Sequence, residues 1–102
     1  MKVLVADDEK VALKMIEGAL EVLGHEMLPA STGREAMEIL EKEYKHIRLL
    51  ILDWHMPEMN GFEVLQKAKA DDRYRHIPVL MQTMESGPDN IRAVMDAGAK
   101  HY

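Results

Sequence analysis

The sequence predicts an α/β domain built on a doubly wound parallel sheet. Three observations carry this. Short apolar runs alternate with amphipathic helical stretches along the whole chain. One run, Leu49-Leu50-Ile51-Leu52, is apolar without alternation, the pattern of a strand with helices over both faces. The connections are short, and strict β-then-α alternation gives parallel strands joined by right-handed crossovers. The predicted order is βαβαβαβαβ, cut off within its last strand.

Each element has its own signal. Val3-Leu4-Val5-Ala6 is a buried strand. From Lys10 to Leu23 a helix places Ala12, Ile16, Ala19, Leu20 and Leu23 on one face, and Gly24 ends it. Glu26 to Ala30 is a weaker strand whose Pro29 suits a sheet edge. Thr32-Gly33-Arg34-Glu35 reads as a capping box opening a helix through about Lys42. Leu49 to Leu52 is the third strand. Asn60, with Glu63 three residues on, caps a third helix that turns Val64, Leu65 and Ala68 inward. Asp71-Asp72 with Arg73 to His76 reads as a solvated loop. Pro78 to Gln82 is the fourth strand. Ser86-Gly87-Pro88-Asp89 starts a fourth helix with proline in the first turn, Ile91, Val94 and Met95 as its stripe, and Gly98 as its end. His101-Tyr102 begins a fifth strand. The methionines read as core filler.

Length and composition narrow the function. The 102 residues make one domain. The balance is acidic, 13 Lys and Arg against 18 Asp and Glu, and the basic residues are scattered. Direct nucleic-acid binding needs clustered cations and is excluded. The absence of cysteine removes disulfides, thiolate metal sites and cysteine nucleophiles. No signal-peptide core precedes the first strand, and no apolar run reaches the ~20 residues of a membrane span. A soluble, cytoplasmic protein is expected.

Three aspartates sit where strands end: Asp7 and Asp8 after the first, Asp53 after the third. Either site alone would pass for a helix cap. In an open α/β sheet, however, ligands bind beyond the carboxyl ends of strands where the strand order reverses. With strand order 2-1-3-4-5, strands one and three are neighbours there and the three carboxylates converge. Two unit charges ~4 Å apart repel by about 1 kcal/mol in water and about 4 kcal/mol at an effective dielectric of 20. Such a cluster calls for a cation, and all-oxygen ligands favour Mg²⁺ or Mn²⁺. The arrangement suits phosphoryl transfer to a carboxylate.

The segments Val3 to Glu9 and Asp53-Trp54-His55-Met56-Pro57-Glu58-Met59-Asn60-Gly61 resemble the two signatures of response-regulator receiver domains. Ile77 to Thr83 is similar to that family's fourth strand, and Ala97 to Tyr102 to its approach to strand five. The resemblance spans the chain and implies a flavodoxin-like, CheY-like (βα)5 fold. It implies that Asp53 is the phosphoacceptor and that Asp8 and Asp7 hold the metal with it. It further implies that the backbone carbonyl of His55 completes the metal site, that Thr83 is the switch hydroxyl, and that Tyr102 is the switch aromatic. Pro57 and Gly61 take backbone roles in the turn after the acceptor, and Met56 and Met59 take packing roles.

The implied function is a switch in a two-component phosphorelay. The partner is a sensor histidine kinase or phosphotransfer protein, and the output is a changed surface on helix four and strand five. The family's lysine, three residues beyond the tyrosine, and its fifth helix are not in this chain, which reads as a receiver domain over residues 1–102 that is incomplete at its C-terminus. An effector domain beyond residue 102 is expected. A sheet face left uncovered would favour a homodimer. Met84 stands where the family has a small residue and is expected to narrow access. The alternative is a binding or dimerisation module that keeps the fold and signals without phosphate. An enzyme is not expected, because a phosphatase of this type needs a second acid where His55 stands.

Overall fold

Among the described residues, the apolar runs and amphipathic stretches become four strands and four α-helices. The computed structural model describes residues 1–82 and 88–100. In chain order they form β1 (Lys2–Ala6), α1 (Lys10–Val22), β2 (Glu26–Ala30), α2 (Gly33–Glu43), a 3₁₀ turn (Tyr44–His46), β3 (Ile47–Leu52), α3 (Gly61–Ala70), β4 (Val79–Met81) and α4 (Pro88–Asp96). Boundaries differ from the sequence reading by at most two residues; β3 starts two residues early because the 3₁₀ turn delivers Ile47 into the sheet.

The sheet is parallel with order β2-β1-β3-β4, so Pro29 does lie on an edge strand. The register pairs Val3 with Leu49 and Ala6 with Leu52, which ends β1 and β3 side by side. Beyond β4, Lys100 N–H donates to Val79 O at 2.9 Å, so the chain returns alongside β4 where strand five is expected. His101 and Tyr102 lie outside the described residues.

Alternation along β1 splits the core in two. Leu4 and Ala6 point to one face and join Leu50, Leu52, Ala36, Leu40, Val64 and Leu65 under α2 and α3. Val3 and Val5 point to the other and meet Ile51, Leu13 and Leu20 under α1. Burying each of the valine, leucine and isoleucine side chains contributes ~1.5–3 kcal/mol.

Three expectations need correction, and a fourth needs it in part. Of the face predicted for α1, Leu20 is buried and Ile16 partly so, while Leu23 is 69% exposed. Val11, Met15 and Val22, on the side of the helix turned away from the buried Leu13 and Leu20, also stand in solvent. On α4, Ile91 and Met95 are exposed, and Val94 has no described side chain. Methionine is only partly core: Met81 and Met56 are buried, whereas Met1, Met15 and Met95 are exposed. The segment from Asp71 to His76 is an exposed turn, as expected, except that Tyr74 is buried and its charges pair with one another. Asp71 accepts from Arg73 N–H at 2.9 Å and pairs its guanidinium, Arg75 pairs Asp72, and Lys69 Nζ donates to Arg75 O and Ile77 O at 3.0 and 2.8 Å. The charges face one another outside while Tyr74 and Ile77 enter the core.

Candidate metal and phosphoryl site

The site is assembled by the register of two strands. Ala6 and Leu52 are paired, and the next residue on each strand is an aspartate. Asp53 N–H still donates to Ala6 O at 2.9 Å, which fixes Asp53 beside the end of β1. Asp7 is held twice. Its N–H donates to Ala30 O at 3.0 Å, and its carboxylate accepts from Glu9 N–H at 2.9 Å at the entry to α1.

The expected convergence is present. Asp7, Asp8 and Asp53 each offer a carboxylate oxygen, all within 4.8 Å of one another. Asp7 is buried, Asp53 half-buried and Asp8 exposed. Burial raises the pKa of the Asp53 carboxyl first, the charges of Asp7 and then Asp8 raise it further, and it reaches about 6. Backbone N–H groups of His55 and Trp54 pull it part of the way back. A cluster of oxygens that repel one another at this spacing fits a hard divalent cation. His55 lies two residues past Asp53 and is exposed. Thr83, Met84 and Tyr102 lie outside the described residues.

The loop after Asp53 is tightly specified. Gly61 N–H donates to Trp54 O at 2.9 Å, closing the loop onto its own start. Asn60 then caps α3 in a full capping box with Glu63. Met56 is buried and Met59 packs on the core, as packing residues should. Trp54 stacks on Phe62 with ring centres 5.4 Å apart. Gly61 is needed for closeness rather than for the turn itself: a Cβ there would lie 2.0 Å from the carbonyl oxygen of Asp53.

Sequence reading missed the other side of this loop. Glu58 and Met59 hold φ of 49° and 84°, a region unfavourable to side chains of their kind. Their neighbour is the start of α2. Thr32 caps that helix by accepting from Glu35 N–H, as expected, although Glu35 reaches back to Ser31 N–H rather than to Thr32 itself. Arg34 N–H donates to Glu58 O at 2.9 Å. The available signal was Gly33, a poor helix former placed in a first helical turn.

A family model described as the response regulator receiver domain matches residues 3–102. A chemotaxis protein CheY homolog of Campylobacter jejuni is 39% identical over 103 aligned positions, covering all of this chain and 78% of its own length. Among solved structures, a CheX–CheY–BeF₃–Mg complex from Borrelia burgdorferi superposes with a TM-score of 0.92 at 25% identity, over 98% of this chain and 74% of that one. The Mn(2+)-bound form of response regulator Rcp1 gives 0.84 at 27% identity, over 99% and 78%. Among the described residues, no helix is long and apolar enough to cross a membrane.

Proposed function

The chain belongs to the response regulator receiver domain family, and from that premise we propose that it is a phosphoryl-accepting switch of a two-component relay, with Asp53 as acceptor. The observation that carries the proposal is the meeting of three carboxylates at the ends of adjacent strands. An acceptor carboxylate needs its charge exposed to the donor and its neighbours neutralised when a phosphate arrives. Asp53 is half-buried at the mouth of the cluster, which meets the first need.

Asp7, Asp8 and Asp53 would hold Mg²⁺ or Mn²⁺, with the His55 backbone carbonyl as a further oxygen. When bound, the cation supplies positive charge for the phosphoryl oxygens. The solved relatives with Mg and Mn(2+) in their descriptions support this ligand class. The donor is a phosphohistidine of a sensor histidine kinase or phosphotransfer protein. An Asp53 oxygen attacks phosphorus in line, the O–P bond forms, and the P–N bond breaks. The imidazole leaves with the bonding electrons and takes a proton from water. Trp54 and His55 N–H groups orient the carboxylate. Thr83 and Tyr102 read the phosphoryl group and pass the change to the surface of α4 and strand five. The domain works in the cytoplasm as a switch rather than an enzyme.

The test is intact mass after incubation with Mg²⁺ and acetyl phosphate, then with a phosphorylated histidine donor. One phosphoryl increment on the wild type and none on Asp53→Asn is the expected result. A wild type that gains no increment from either donor overturns the proposal.

A further inference from the structure

We propose that Gly33, at the start of α2, is a positioning residue for the pocket on β1 and β3. The loop that carries the Trp54 and His55 N–H groups returns through Glu58 and Met59, both in the left-handed region. Such a backbone persists only where its surroundings over-determine it. Two contacts from α2 do so. Arg34 N–H donates to Glu58 O. Gly33 lies directly against the next peptide: a Cβ built on it would stand 1.9 Å from Met59 O, 2.7 Å from Met59 C and 2.9 Å from Met59 Cβ. The first two of these are backbone atoms, so no rotamer change relieves the clash. Met59 is held on its other side by Asn60, whose N–H and side chain belong to the capping box of α3.

Only a hydrogen therefore fits at position 33. The first turn of α2 sets the depth of the loop, and the loop sets where Trp54 and His55 meet Asp53. Gly33 touches none of the three carboxylates and acts through Met59. A larger residue there displaces the Met59 peptide, lengthens the Arg34–Glu58 hydrogen bond and shifts the loop along the acceptor. The inference rests on the proposed reading of the pocket as a cation site.

The experiment is an Mg²⁺ titration followed by the fluorescence of Trp54, the sole tryptophan, at a temperature where melting shows each variant folded. Gly18→Ala is the control, since nothing lies within 4 Å of that position. Gly33→Ala is expected to raise the half-saturating Mg²⁺ concentration at least tenfold, and Gly18→Ala to leave it unchanged. If Gly33→Ala does not fold, Met59→Gly replaces it. This variant leaves Gly33 in place, relaxes the strained residue and gives up the packing of Met59 on the core, so its melting temperature shifts by the balance of the two while half-saturation rises at least threefold. Wild-type half-saturation in whichever of these variants is folded overturns the inference, because a purely structural glycine would move only the melting temperature. A wild type that does not titrate at all overturns the cation site itself.

Discussion

Gly61 is pressed against Asp53, so close that a Cβ would sit 2.0 Å from the Asp53 carbonyl oxygen and 2.8 Å from its carbonyl carbon. Both are backbone atoms, and the Asp53 backbone is itself bonded to β1. Gly61→Ala must therefore move α3 or Asp53. The expected loss is about 2–3 kcal/mol. In a domain this small that lowers the melting temperature by roughly 10 °C or more. Thermal denaturation followed by circular dichroism checks it, and an unchanged melt would show that the contact yields at little cost.

Asp53 predicts a pH dependence of stability. Its pKa is raised to about 6 in the folded chain, by burial first and then by Asp7 and Asp8. The folded state thus binds the proton more tightly than the unfolded state does, and metal-free stability falls as pH rises from the ordinary carboxylate range to about 6. Asp53→Asn removes the repulsion. Discounted for the exposure of the group, the gain is about 1 kcal/mol, and the metal-free melting temperature at pH 7.5 rises by roughly 4–8 °C. A melt of both proteins with a chelator present measures it.

Divalent cation should stabilise the wild type far more than the Asp53→Asn variant. Mg²⁺ or Mn²⁺ binding the folded state alone stabilises by RT ln(1 + [ion]/Kd). Wild type is expected to melt higher with either ion, more so at pH 7.5 than at pH 5, where the Asp53 carboxyl is largely protonated. Asp8→Asn and Asp53→Asn should lose most of this gain. The difference in melting temperature with and without ion is the readout.

Lys69 is expected to matter through its hydrogen bonds. Its ammonium donates to Arg75 O and Ile77 O, and its stem underlies Gly98, where a Cβ would come 2.8 Å from Lys69 Cγ. Burial and then Lys100 lower its pKa, yet the two carbonyls keep the group in place. Lys69→Met keeps the stem and removes the donor. The cost is about 1–3 kcal/mol in urea denaturation, from carbonyl oxygens left without their partner.

The uncovered arc of α1 predicts association. Val11, Met15 and Val22 are 69%, 71% and 87% exposed and share one side of the helix. The 102-residue chain should sediment as a species larger than the monomer at tens of micromolar, and Met15→Lys with Val22→Lys should return it to the monomer. Sedimentation velocity of both proteins decides this.

The sheet and the acidic cluster were legible because each rests on a local pattern. An unbroken Leu49 to Leu52 run specifies a strand covered on both faces, and an aspartate after each of two strands becomes a cluster once the parallel order is known. Asn60 with Glu63 likewise announces a helix by its own hydrogen-bonding chemistry. What was not legible depends on contacts distant in sequence. Gly33 and Met59 are far apart in the chain, and nothing local says that a carbonyl from one rests on the other. The composition of the charged run Asp71 to Arg75 does not reveal that its charges pair together and leave Tyr74 free to enter the core. Helix α1 carries apolar residues on two sides, and only the tertiary packing decides that the side of Leu13 and Leu20 is the covered one.

The paired end of β1 and β3 has a consequence for how this protein tolerates change. The last rung of the ladder joins Ala6 to Leu52, and the chemistry starts at the very next residue on either side. A substitution before that rung alters how long the fold survives, whereas one just after it alters what the fold recognises. A single peptide bond on each strand separates the rung that holds the sheet together from the carboxylates that gather at its edge.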